Sequence, residues 1–135
     1  MPCLQELLED DYANYMVQTL VSYSNSEQRL KIFKALNKEI VNLVCLKQGT
    51  FAFQQMIAHI HTEEEFSFFG QFMAENFFQV STNPNGNHFL RKIIPIMPFR
   101  FNLPFFNSIF ANFLELVNDK NAVCVLKVIL GILLK

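Results

Sequence analysis

The chain has 135 residues, enough for one domain or a short array with a substantial core. Hydrophobic residues make up 51% of it and phenylalanine occupies 16 positions, so either the core is rich in aromatic rings or some apolar surface is meant for a partner. The formal net charge of -1 excludes strong, chain-wide attraction to phosphate, but residues 1 to 65 carry nine acids and five bases while residues 66 to 135 carry three acids and six bases, which places any phosphate-facing surface in the second half.

Taken in chain order, the punctuation predicts helices throughout. Asp10 or Asp11 caps a helix through Tyr15 to Tyr23, and Ser24, Asn25 and Ser26 turn the chain into a second helix from Glu27 to about Asn37. Lys38 to Leu46 reads as a short helix broken at Gly49, followed by a longer one from Thr50 to about His61. Thr62 and Glu65 form a T-x-x-E capping box ahead of the helix that carries Phe66, Phe69 and Phe72. Asn83 to Gly86 make a turn before a helix over Asn87 to Ile94, which Pro95 and Pro98 are expected to end. Leu103 and Pro104 start the next helix, running towards Val117, and Asn118 to Asn121 turn into a last one. No segment alternates with the two-residue period of a strand, so the chain is expected to be all-α.

Superimposed on these helices is a period. Asn14, Tyr15 and Gln18 recur as Thr50, Phe51 and Gln54 after 36 residues, as Asn87, His88 and Arg91 after a further 37, and as Val123, Cys124 and Lys127 after another 36. The apolar columns move with the triads: Val17, Phe53, Leu90 and Leu126 are equivalent, as are Leu20, Met56, Ile93 and Ile129. Such a recurrence marks a solenoid, in which each unit buries its apolar face only by stacking on the next. At about 100° per residue the first and last triad positions nearly superpose and the middle one lies beside them, so each repeat is expected to present an exposed ledge of two edge-reading groups and one flat neighbour.

Several chemistries are excluded by what the sequence lacks. His59 and His61 diverge on a helix and no cysteine or acid completes a metal site, while Glu63, Glu64 and Glu65 read as a favourable acidic first turn. There is no P-loop, no Gly-rich dinucleotide turn and no nucleophile set beside a base, so neither an enzyme nor a cofactor nor a small-molecule substrate is expected. Phe66, Phe68, Phe69 and Phe72 read as packing residues, with Phe68 turned outwards. Cys3, Cys45 and Cys124 are odd in number without CxxC spacing, and the first eleven residues are acidic rather than a secretory leader; a reduced, cytoplasmic setting follows, with a nuclear or nucleolar one as the alternative. Val123 to Leu134, interrupted by Lys127, falls short of the roughly 20 apolar residues that cross a bilayer.

The local strings resemble a known family. Asp11-Tyr12-Ala13-Asn14-Tyr15-Met16-Val17-Gln18 and Asn85-Gly86-Asn87-His88-Phe89-Leu90 are similar to the start of the RNA-facing helix of the PUF (Pumilio-type) repeat, and the strings around Thr50 and Val123 follow it through their apolar positions. The resemblance implies a right-handed, armadillo-like α-solenoid, a single domain over residues 1–135 of about four three-helix repeats (4–37, 38–73, 74–110 and a truncated 111–135), with the triads on its concave side. It further implies single-stranded or unpaired RNA as the partner, read one base per repeat by two or three side chains, in post-transcriptional control or a ribonucleoprotein. Asn14, Tyr15 and Gln18 would then read uracil; Thr50, Phe51 and Gln54 form a less defined site; Arg91 stands where the family usually has Gln or Glu, beside Asn87 and His88; and Lys127 reaches at most a phosphate. The family's RNA-binding members typically have about eight repeats. The alternative is a reduced scaffold that binds protein, on a ribosome or another large particle, without base readout. Its support is the uncapped last helix, which is expected to be covered by another chain or a second copy.

Overall fold

The computed structural model describes residues 2–135, and every regular element among them is helical. Ten α-helices follow one another: α1 (Pro2–Glu9), α2 (Asn14–Tyr23), α3 (Ser26–Ala35), α4 (Ile40–Val44), α5 (Lys47–Met56), α6 (Glu63–Ser81), α7 (Gly86–Ile96), α8 (Phe99–Ala111), α9 (Phe113–Asn118) and α10 (Ala122–Leu133), with a 3-10 turn at Ile57–His59. They form an α-solenoid. The four triad-bearing helices α2, α5, α7 and α10 pack successively against one another in an inner row, and α3, α6 and α8 pack successively in an outer row.

Local chemistry explains most boundaries. Asn25 accepts from the Gln28 backbone N–H while Gln28 returns a bond to the Asn25 N–H, a complete capping box that starts α3. At α6 only half of the expected box forms: the Thr62 hydroxyl accepts from the Glu65 N–H, but the Glu65 carboxylate is used elsewhere. Gly49, read as a break, lies in the first turn of α5 instead. A Cβ there would sit 1.9 Å from the Leu43 carbonyl oxygen, so the glycine is required by the close approach of α4 rather than by a turn.

Proline placement also differs from expectation. α7 continues through Pro95 to Ile96, and α8 begins at Phe99, with Pro98 at its N-cap and Pro104 inside it. Pro98 is the residue that starts this helix, because its fixed φ suits the entry and it needs no donor there. A break at Asn112 separates α9 from α8. α6, 19 residues long, runs without interruption across the expected boundary between the second and third repeats at 73/74.

The joints between repeats are built from the columns in the sequence. Phe33 packs edge-on against Phe69 at 4.9 Å, Phe53 against Phe89 at 6.2 Å, and Phe77 stacks on Phe105 at 5.0 Å. Phe68, expected to turn outwards, is half-buried and stacks on Phe33 at 6.4 Å. Polar joints follow the same register. Arg29 donates from Nε and Nη2 to the two carboxylate oxygens of Glu65, each at 3.1 Å, and from Nη1 to the Ser24 carbonyl at 2.8 Å. Thr62 adds a hydroxyl donor to Glu65 Oε1 at 2.9 Å, so a buried pair between α3 and α6 is fully engaged. One repeat further on, Glu63 pairs with Arg100 at the surface.

Two measurements check this account. Removing one partner of the buried pair by Arg29→Ala or Glu65→Ala is expected to lower unfolding free energy by about 3–5 kcal/mol, and the apolar double replacement Arg29→Met/Glu65→Leu to recover most of it in urea titrations. Gly49→Ala should cost about 1–3 kcal/mol through the carbonyl clash, whereas Gly131→Ala, with open space around its Cβ, should be neutral or stabilising by up to about 1 kcal/mol.

Candidate nucleic-acid interface

Three of the four inner helices, α2, α7 and α10, are started by a loop in which one side chain accepts from two backbone N–H groups. Asp10 Oδ1 accepts from the N–H groups of Tyr12 (2.9 Å) and Ala13 (2.7 Å). Asn83 Oδ1 does the same for Asn85 and Gly86, and Asp119 Oδ1 for Asn121 and Ala122. These three residues stand four positions before Asn14, Asn87 and Val123, a recurrence visible in the sequence but unnoticed beside the triads. The two backbone donors hold the Asp10 carboxyl below its ordinary range. In the second repeat Leu46 takes this place, and no side chain caps α5.

The first position of each of the first three triads is buried, which corrects the expected ledge. Asn14, Thr50 and Asn87 are 0%, 5% and 3% exposed. Asn14 Nδ2 donates to the carbonyls of Asp10 (2.7 Å) and Asp11 (3.0 Å), and Asn87 Nδ2 donates to those of Asn83 and Pro84 (both 2.9 Å). Thr50 donates its hydroxyl across the joint to the Asn85 carbonyl at 3.1 Å. A buried amide or hydroxyl must be satisfied: the preceding loop serves Asn14 and Asn87, and the loop before the next inner helix serves Thr50.

Burial of the first position fixes the third. Asn14 Oδ1 accepts from Gln18 Nε2 at 2.7 Å, and Thr50 Oγ1 accepts from Gln54 Nε2 at 3.3 Å. Each glutamine amide is thus anchored through one N–H, leaving its carbonyl and second N–H to meet another group at a half-buried position. Arg91 is exposed and lies 3.4 Å from His88 Nδ1. The middle positions Tyr15, Phe51 and His88 are exposed, and Tyr15 meets Phe51 edge to face at 6.3 Å. In the fourth repeat Val123 and Cys124 are half-buried, while Lys127 is exposed. Asn85 and Asn121, expected only as turn residues, each reach back one repeat and donate to the carbonyls of Cys45 (3.2 Å) and Thr82 (3.1 Å).

A family model described as the Pumilio-family RNA binding repeat matches residues 4–36 and 76–95, the segments that carry the first and third triads. Pumilio homolog 12 of Arabidopsis thaliana is 27% identical over 136 residues, covering 95% of this chain and 22% of the relative. The Puf4 RNA binding domain, bound to an HO endonuclease RNA 3′ UTR recognition sequence, superposes with a TM-score of 0.88 at 26% identity, over 95% of this chain and 40% of that one. Residues 4–36 and 76–95 are thus similar to the PUF repeat, and the chain shares the fold of Puf RNA-binding domains. Suppressor protein MPT5 of Saccharomyces cerevisiae is 23% identical over 97% of this chain and 16% of its own length. At 18% identity, the Puf3 RNA binding domain shares the fold, with a TM-score of 0.78. The chain thus spans about a quarter or less of the curated relatives named here.

Among the described residues no three His, Cys, Asp or Glu side chains come together as a metal site, and no helix is long and apolar enough to cross a membrane. The Asp10 loop gives a pH signature. Because its folded carboxyl titrates below the ordinary value, the stabilisation is present above that value and is lost as pH falls through the folded one. Asp10→Asn, which keeps the geometry that Asn83 already uses, is expected to be less stable than the parent at neutral pH, with the difference closing in acid during thermal melts.

Proposed function

We propose that this PUF-like chain binds single-stranded or unpaired RNA along its inner helical row, as a small element of post-transcriptional control or of a ribonucleoprotein in the cytoplasm. The observation that carries the reading is the set of exposed rings at one position of three adjacent inner helices, two of them beside a glutamine amide that a buried neighbour holds in place. Tyr15, Phe51 and His88 supply faces on which bases stack, a sequence-tolerant contribution of about 1–3 kcal/mol per base. Gln18 and Gln54 supply the base-edge contacts, and Asn14 and Thr50 position them; Asn87 holds the loop that starts α7. Arg91 offers donors only, so it favours an acceptor-rich base edge or a phosphate. Lys127 lies farther along the same row and reaches a phosphate.

Binding requires a local rearrangement. A base slotted between two rings needs about 7 Å between parallel planes, twice the ~3.5 Å carbon contact distance, whereas Tyr15 and Phe51 stand 73° apart. Both rings are exposed, so rotation of one of them is cheap. Two ordered sites of this kind favour short, weakly discriminated RNA over tight reading of a long element.

Replacing Tyr15 and Gln18 together with Ala is expected to weaken binding of a short uracil-containing RNA by about 10- to 100-fold at fixed salt, from loss of one stack and one edge contact. Lys127→Ala should weaken all sequences alike and flatten the dependence of log affinity on log salt by about 0.7. Unchanged affinity of the Tyr15/Gln18 variant in a fluorescence-anisotropy titration would remove these residues from the site. A second reading, a scaffold for protein, is favoured by the apolar surface at the C-terminal end of the array.

A further inference from the structure

The ionisable groups are sorted by row. Of the chain's 12 acids none lies on an inner helix, whereas the outer helices α3 and α6 carry Glu27, Glu63, Glu64, Glu65 and Glu75. Ion pairs follow the same division. Those among the described residues join groups of the outer helices only, Arg29 with Glu65, Lys31 with Glu27 and Arg100 with Glu63. The inner helices carry Lys47, Arg91, Lys92 and Lys127, all exposed, and none of them is among these pairs. The face that holds the open rings is therefore positive, and no carboxylate on its own helices offsets it.

Within the inner row the charge is graded. The loop before α2 carries Asp10 and Asp11, and α2 itself has no charged residue. Three positions before each triad the sign reverses along the array, from Asp11 in the first repeat to Lys47 in the second and Lys120 in the fourth. The third triad position changes as well: Gln18 and Gln54 are amides tied to Asn14 and Thr50, whereas Arg91 and Lys127 are cations. Arg91 turns to the His88 ring at 3.4 Å rather than to Asn87, whose Nδ2 serves the loop. Lys92 lies one turn beyond His88, so His88, Arg91 and Lys92 share one face of α7, and α10 with Lys127 packs directly beside it. Reading a base edge requires a donor held in place. Attraction to a phosphate does not, and a loosely held guanidinium or ammonium serves it.

We propose that the inner row, if the RNA reading above on which this rests is right, is divided in two. The first and second repeats discriminate bases, and the third and fourth hold the sugar–phosphate backbone through Arg91, Lys92 and Lys127 whatever bases it carries. A base stacked on His88 adds affinity without discrimination. The ligand is thus a single strand with two discriminated nucleotides and, on one side of them only, a flank bound for its charge. Neighbouring helices pack about 8–10 Å apart, so α2 to α10 spans about 25–30 Å, and a strand too short to cover that distance loses the charged half of the site.

The test uses the full chain and fluorescein-labelled RNA ten-mers of mixed sequence with one pair of uracils, placed near the 5′ end in one set and near the 3′ end in the other. The set whose long flank runs towards α7 and α10 is expected to bind at least tenfold more tightly. In that set, changing the flank bases should alter affinity by no more than about twofold, while neutral methylphosphonates at three flank linkages should remove the advantage. These arms use the unaltered chain, so misfolding of a variant cannot imitate the result. Arg91→Gln/Lys92→Gln/Lys127→Gln, at exposed positions, is expected to bind both sets alike and to flatten the dependence of log affinity on log salt by about 2, from about 0.7 per phosphate contact. Equal affinity of the two sets, indifference to the neutral linkages, or a more than fivefold response to flank bases would each overturn the division. If no ten-mer binds, the RNA reading falls with it. If the Tyr15/Gln18 variant loses binding while neutral linkages have no effect, the RNA reading stands and this inference alone fails.

Discussion

The structure depends on one constraint: a repeat of two or three short helices cannot bury its apolar face alone and must lay it against the next repeat. Isolated helices of about ten residues are marginal in water, and most elements here are that short or shorter. What holds them is the succession of joints in which Phe33, Phe53, Phe69, Phe77, Phe89 and Phe105 are all fully or almost fully buried. Each such ring contributes about 1.5–3 kcal/mol by leaving water. The high phenylalanine content is therefore largely a property of the joints. Of the remainder, Phe51 is exposed on α5 and Phe78 on α6, while Phe99, Phe110 and Phe113 are exposed on α8 and α9.

The same stacking governs the polar groups. Bringing α3 against α6 buries Arg29 and Glu65 together, and the bidentate geometry with help from Ser24 and Thr62 offsets the loss of hydration. Bringing α5 against α7 lets Thr50 and Asn85 exchange contacts with the neighbouring repeat, and Asn121 repeats this one step later. The joints thus join hydrophobic burial with hydrogen bonds at fixed register, which resists slipping of one repeat along another.

Function enters through what the joints leave uncovered. Helical periodicity places three triad positions close together, but a loop claims the first of them in three repeats, the preceding loop for Asn14 and Asn87 and the following one for Thr50. The result is a division of labour in the first two repeats: a buried Asn or Thr satisfies backbone and orients a glutamine, while a ring beside it stays open. Preorganisation of this sort reduces the ordering cost when a ligand arrives. Near the C-terminus the row loses both features, since Val123 and Cys124 neither orient nor stack, and the surface there is apolar.

Much of this was legible in the residues themselves. The period, the apolar columns and the all-helical class follow from spacing, because a 3.6-residue stripe that returns every 36 or 37 positions admits few other architectures, while the resemblance to PUF repeats rests on the strings around Asn14 and Asn87. The complete cap at Asn25 and the acidic start of α6 were equally readable, being local. Pro98 rather than Pro104 as the start of α8, Gly49 within a helix, and the unbroken α6 were not, since each depends on what a neighbouring helix leaves room for. Spacing along the chain dictates which side chains share a column, whereas packing between repeats sets which of them are covered. Asn14 and Tyr15 are adjacent in the chain and equally polar-compatible, yet one is sealed beneath the loop from Asp10 and the other stands in solvent, because burial is set by the packing of the segment before and the repeat after. Leu130 belongs to the same column as Val21 and is open for the converse reason: nothing among the described residues lies over it.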